Sequence, residues 1–261
     1  MLKKRIIGVV TIRDGLAVQS FGYKRYLPIG KPEIVVENLD RWGIDEILIQ
    51  VIDLSINGFG VDLELIRKIG SLSKSTPIIY AGGVRSLDDA VNVIQAGADR
   101  ICVDALLHSN PDKIKEISCK LGAQAVIASF PIIIGDDCRP YWYNYITKQL
   151  VVLNKKVLCL LDQDIISEAI IIDCQNEGNH EAFNFKLLSI FANMKNPLIL
   201  FGGLSSAKLL NKALIEDRVS AVAIGNFLNY REHAVQEFKK QLALDILRSP
   251  LYQDKFLVYD N

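Results

Sequence analysis

The chain has little of what metal and redox sites are usually made from. Of its 261 residues, three are histidine and five are cysteine. His108, His180 and His233 lie far apart, and no two cysteines stand in CxxC spacing. A zinc site needs several such ligands closely spaced, so no metal and no cofactor is expected. Cys102 and Cys159 fall within apolar runs, where a thiol behaves as a small hydrophobe, and the odd total with Cys119, Cys138 and Cys174 gives no disulfide framework. Charge of one sign is not in excess either: 30 Lys and Arg balance 30 Asp and Glu. That removes any general pull toward nucleic acid or an anionic membrane. No apolar run has the roughly 20 residues of a membrane-spanning helix. The sequence passes from Lys3-Lys4-Arg5 directly into a short β-branched run, without the longer apolar region of a signal peptide. These absences predict a cytoplasmic protein. A GxGxxG turn after that first run is missing too. Thr11-Ile12-Arg13-Asp14-Gly15 stands there instead, so an open doubly wound dinucleotide fold lacks its usual marker.

What the chain does have is a long internal echo. Pro77-Ile78-Ile79-Tyr80-Ala81-Gly82-Gly83-Val84 returns as Pro197-Leu198-Ile199-Leu200-Phe201-Gly202-Gly203-Leu204. Each copy then runs through a helical stretch into a second apolar run, Asp99 to Asp104 and Ser220 to Gly225. The period is too long for a solenoid. It predicts one domain over residues 1–261, built from similar halves of about 1–122 and 123–261.

Eight β-rich runs alternate with helical spacing: Arg5–Val10, Glu46–Ile52, Ile78–Ala81, Arg100–Asp104, Ala125–Phe130, Glu168–Asp173, Leu198–Phe201 and Ala221–Gly225. Continuously apolar strands separated by helices imply a parallel sheet covered on both faces, and eight such units imply a (β/α)8 TIM barrel. Residues 132–152 break the rhythm with Gly135-Asp136-Asp137, Pro140 and Tyr141-Trp142-Tyr143-Asn144-Tyr145. They read as a loop or hairpin inserted after the fifth strand, its aromatics forming either a small local core or a lid or partner-docking surface.

In such a barrel the chemistry sits at the C-terminal strand ends. There Gly82-Gly83 and Asp104-Ala105 lie in the first half, and Gly202-Gly203 and Gly225-Asn226 in the second. Glycines let the backbone approach a ligand, and helix N-termini offer free N–H groups to anions. The paired arrangement suits a ligand with a phosphate at each end; a single glycine pair favours a plain tight turn, and the repetition brings the two readings level.

At this point the sequence resembles a known family, the cyclase subunit of imidazole glycerol phosphate synthase, HisF, including its divergent paralogues. The resemblance rests on Met1 to Ile7 followed by Asp14-Gly15, on Gly43-Ile44-Asp45-Glu46, Gly82-Gly83, Gly97-Ala98-Asp99-Arg100, Gly122 to Val126, Gly202-Gly203 and Ser220 to Ala223. It covers most of the chain and thins between about residues 131 and 165. It implies a TIM barrel paired as a heterodimer with a glutaminase, whose ammonia passes through the barrel to a phosphorylated small-molecule ligand. It further implies phosphate contacts at Gly82, Gly83, Asp104, Gly178, Gly202, Gly203, Gly225 and Asn226. The family's charged entrance for ammonia falls on Arg5, Glu46, Arg100 and Glu168, with arginine at 100 where lysine is usual. Asp99 falls on a position that faces the glutaminase. The same four charges also read as a structural ion-pair plug.

The departures are as informative. The family's two acid–base aspartates fall on Thr11 and Pro131, neither of which serves as a carboxylate. Gln19 stands where the family has a lysine. Asp14, Asp53 and Asp104 remain near strand ends, and Asp14 is the first candidate substitute. Asp104 itself replaces a neutral amide and would repel phosphate, and Phe201 is bulky where the family has a small polar residue, so the second half is expected to hold phosphate better. The resulting expectation is a synthase-like barrel that conducts ammonia to an acceptor other than the family's, for example a surface sugar. The alternative is a non-catalytic scaffold that activates a glutaminase. The sister isomerase of the same pathway is disfavoured by Thr11, Pro131 and the four-charge set.

Overall fold

The computed structural model describes residues 3–73, 75–153, 157–158, 164–229, 234–242 and 247–248; Met1, Leu2, Cys159 and His233 lie outside these. Twelve strands are described: β1 (Arg5–Arg13), β2 (Leu16–Phe21), β3 (Arg25–Gly30), β4 (Glu46–Val51), β5 (Ile78–Ala81), β6 (Arg100–Val103), β7 (Val126–Ile134), β8 (Pro140–Asn144), β9 (Gln149–Val152), β10 (Glu168–Asp173), β11 (Leu198–Phe201) and β12 (Val219–Ile224). Eight of them pair in parallel in the order β1-β4-β5-β6-β7-β10-β11-β12, and β12 pairs back to β1. The sheet is therefore closed, and the fold is a (β/α)8 TIM barrel. Among the described helices, α1 (Pro32–Arg41), α2 (Leu63–Leu72), α3 (Leu87–Gln95), α4 (Ala105–Ser109), α5 (Pro111–Leu121), α6 (Leu187–Ile190), α7 (Ala207–Ile215) and α8 (Ala234–Leu242) follow the strands. Asp62, Ser86, Asn110 and Ser206 cap α2, α3, α5 and α7 by accepting backbone N–H groups with their side chains.

The continuous apolar character of the strands has a direct cause. Successive side chains alternate between two buried layers. One set fills the barrel: Ile7 and Val9, Leu48, Ile79, Cys102, Ile127, Ile170 and Ile172, Ile199 and Phe201, Ala221 and Ala223. The other set, including Ile6, Ile47, Ile78, Ile101 and Leu200, packs under the helices. The period of two then fixes which polar residues face inward. Arg5, Ile7, Val9 and Thr11 share one file, and Arg100, Cys102 and Asp104 share another. Floor charges and mouth residues are the two ends of the same files.

Two hairpins depart from a plain barrel. The sequence reading ends the first strand at Val10, but β1 runs on to Arg13 and turns through Asp14 and Gly15, whose φ angles are 49° and 75°. An Asp-Gly pair with both residues at positive φ is a favoured two-residue hairpin turn, and β2 and β3 follow as antiparallel additions to β1. The inserted segment likewise begins as an extension of β7, which pairs with β8 through Ile132–Ile134 before β9 folds back. Pro131 is tolerated within β7 for a local reason. The carbonyl of Ile132 accepts the N–H of Cys174, just after β10. The nitrogen of Pro131 therefore faces the opposite edge, beyond the last β6 pair at Val103 and Ala128, and interrupts no ladder there.

Candidate functional site

A cavity of about 880 Å3 opens at the C-terminal strand ends. It brings together Asp14, Gly82, Gly83, Asp104 and Pro131 of the sequence-derived candidates. Arg13, Lys24, Arg85, Lys113 and Lys148 add positive charge, and Tyr143 and Tyr145 reach it from the β8 end of the inserted hairpin. Asp53 also lines it, and its carboxylate accepts the N–H of Asp14 at 2.8 Å, fixing the first hairpin turn. Asp14 itself is largely exposed at that turn, its side chain 74% accessible. The aromatic insertion is thus both packing and roof: Trp142 is buried, while Tyr143 and Tyr145 face the cavity.

Thr11, Gly178, Gly202, Gly203, Gly225 and Asn226 do not line this cavity. Thr11, Gly225 and Asn226 border a separate space of about 10 Å3. Over it, the Ser20 N–H donates to Asn226 Oδ1 at 3.1 Å and Asn226 Nδ2 donates to the Ser20 carbonyl at 2.7 Å. The Glu177 carboxylate accepts from Ser20 Oγ at 2.9 Å and from the Tyr23 N–H, and burial pushes its pKa up. Gly203 has φ 78°, and a Cβ there would lie 2.9 Å from the Phe183 nitrogen, so the close approach is made by the chain itself. The open volume accordingly lies mostly on the first-half side. The β2 strand, which periodicity did not reveal, lies against Asn226 and Glu177.

Asp104 ends the inward file of β6 and is the cavity carboxyl most affected by burial. Burial raises its carboxyl to about 8, although the indole N–H of Trp142 donates to Oδ1 at 2.8 Å and favours the charged form. His108 stacks on Trp142 with centroids 3.7 Å apart. Its Nε2 is buried without a hydrogen-bond partner among the described residues, and burial lowers its pKa to about 4, so the ring is neutral. Burial also pushes up Cys102, to about 12, and Tyr145. The sequence offers Asp104 both as a phosphate contact and, with Asp14 and Asp53, as a substitute acid, and it holds no signal for the Trp142 bond beyond the aromatic cluster itself.

At the opposite end the four floor charges close into one ring. Arg5 Nη1 meets Glu46 Oε1 at 2.6 Å and Arg5 Nη2 contacts Glu168 Oε1; Arg100 Nη2 meets Glu168 Oε2 at 2.7 Å and Arg100 Nη1 approaches Glu46 Oε2 at 3.7 Å. Ser220 donates to Glu168, and Arg100 donates to Ser167 at 2.6 Å. Burial opposes ionisation of Glu168, but Arg5 and Arg100 outweigh it and hold the carboxyl below its ordinary value. Asp99 lies exposed beside the ring and accepts the Ile78 N–H at 2.8 Å.

Residues 5–234 match the family described as histidine biosynthesis protein. The chain belongs to that family. Within it, the chain is 26% identical over 247 residues to the putative imidazole glycerol phosphate synthase subunit hisF2 of Vibrio vulnificus, covering 93% of this chain and 89% of the relative. It is 25% identical to the imidazole glycerol phosphate synthase subunit HisF of Exiguobacterium, with 92% and 93% covered, and 28% identical to that of Staphylococcus aureus, with 92% and 96% covered. The likeness spans nearly the full length of each, so this histidine biosynthesis family barrel is a distant HisF-like member from floor to mouth.

Proposed function

We propose that this chain is the synthase-type barrel of a glutamine amidotransferase. A separate glutaminase docks at the floor beside Asp99, forming a heterodimer, and its ammonia passes the ring and reaches a phosphorylated acceptor at the mouth. The observation that carries this reading is the closed ring of Arg5, Glu46, Arg100 and Glu168. A ring whose members sit on four different strands and face one axis is suited to control an entrance, and Glu168 is kept ionised by its partners. The cationic rim from Arg85, Lys113 and Lys148 suits an anionic acceptor.

The family reaction forms imidazole glycerol phosphate and an aminoimidazole carboxamide ribonucleotide from a precursor nucleotide. Thr11 and Pro131 supply no carboxylate for it. A positioned acid or base contributes about 10²–10⁴-fold in rate, or roughly 3–5 kcal/mol of barrier. The proposal is therefore a paralogue that delivers ammonia to a different acceptor, such as a sugar. The missing acids equally suit a scaffold that only activates a glutaminase, and one experiment separates the readings. The chain and its glutaminase are incubated with amide-¹⁵N-glutamine, with either the precursor nucleotide or a small-molecule extract of the native cells. Label in a phosphorylated molecule other than imidazole glycerol phosphate supports the paralogue. Labelled imidazole product restores the family reaction. Stimulated hydrolysis with label only in free ammonia supports the scaffold. An unaffected glutaminase refutes all three.

A further inference from the structure

Resting on that reading, we infer that the barrel carries out its own ammonia addition, with Asp104 as the group that handles the proton in place of the missing strand-one and strand-five acids. Three geometric facts support it. Asp104 follows the inward file of Arg100 and Cys102, so it stands at the mouth end of the strand whose floor end carries a ring member. At about 3.3 Å per residue the climb from Arg100 is about 13 Å. It lines the large cavity, whereas Thr11 borders the small one. Its orientation is fixed by the Trp142 indole from the inserted hairpin, itself backed by the His108 ring. Asp53 is tied to the Asp14 amide, and Asp14 is exposed at a turn. Neither matches this placement.

The surroundings set Asp104 up for proton transfer. The groups facing it are Cys102 on its own strand, Cys174 after β10, Tyr145 and Trp142 on the hairpin, and neutral His108 on α4. Among the described residues no cation pairs with it. Its carboxyl, raised to about 8 by burial, is mostly protonated at neutral pH yet able to release and recover a proton. In the proposed step the ammonia nitrogen forms a bond to an electrophilic C=O or C=N carbon of the acceptor. The π pair passes to the heteroatom, which takes the proton of Asp104. The new C–NH3+ returns one proton to the carboxylate. The net change is addition of ammonia, with Asp104 restored and no oxidation or reduction.

The test is Asp104→Asn in the full chain with its glutaminase. An asparagine oxygen accepts the same indole hydrogen bond, so a merely structural aspartate tolerates the change. Transfer of ¹⁵N to the extract-derived acceptor is expected to fall about 100-fold or more. In the parent, transfer at saturating ammonia declines as pH rises through about 8, because the protonated form is the donor. Independently of turnover, the tryptophan fluorescence of the parent alone is expected to titrate near pH 8 and that of Asp104→Asn to stay flat, since His108, Cys102 and Tyr145 titrate outside this range. Transfer within about threefold of the parent, or a parent fluorescence flat from about pH 6.5 to 9.5, overturns the inference. A titrating parent that labels no acceptor overturns the proposed function instead, and this role falls with it.

Discussion

Replacing Arg5 with methionine is the sharpest perturbation of the floor. Arg5 touches both glutamates of the ring, and the ring side chains are only 8–13% accessible. Arg5→Met leaves Glu46 and Glu168 sharing Arg100, whose contact with Glu46 is 3.7 Å. Removing one member of a buried ion pair typically costs about 3–5 kcal/mol. Because Arg100 and Ser220 still serve Glu168, a value near 3 kcal/mol is expected, about 6–12 °C in melting temperature for a chain of this size. The pH dependence follows from Glu168. Its folded pKa is depressed, so it contributes stability that is present above its unfolded value of about 4.3 and is lost as pH falls through the lower folded value. Arg5→Met removes part of that depression. The deficit relative to the parent should therefore be largest near pH 7 and shrink toward pH 3–4. Urea melts of both proteins at pH 7 and at the lowest pH where both fold measure it. A deficit below about 1 kcal/mol, or one that grows in acid, refutes the view of the ring as a tightly coupled charged unit.

Three other contacts give further outcomes. Lys239→Met breaks a pair with Asp45 at 2.8 Å that is almost wholly buried, and should cost about 3–5 kcal/mol in a denaturant melt. Asn226→Ala removes both hydrogen bonds to Ser20. It should cost about 1–3 kcal/mol and raise amide hydrogen exchange across residues 16–21, with little change at the floor. Trp142→Phe removes a hydrogen bond favouring ionised Asp104, so the midpoint of the pH profile for ammonia transfer should move above that of the parent.

The sequence made the barrel visible because both layers around a TIM-barrel sheet are apolar, leaving eight unbroken runs such as Ile78–Ala81 between helical stretches. The floor ring was visible only through family resemblance; four charges on four strands have no local pattern. The β2–β3 hairpin was missed because β3 is mostly exposed and carries no inward period, although Asp14-Gly15 signalled its turn. The volume of the mouth depends on side chains from both hairpins meeting strand ends far away in sequence. Neither the clasp of Ser20 by Asn226 nor the bond from Trp142 to Asp104 follows from spacing.

β6 is one of three barrel strands only four residues long, and it has a guanidinium at its start and a carboxyl just past its end on the same side. Inserting or deleting a single residue within it would rotate one of those two groups out of the barrel and under the helices. Entrance and exit are thus mechanically geared at this strand: drift in its length is forbidden, and change in the protein's chemistry must come through substitution at its two ends or through the hairpin that leans on one of them.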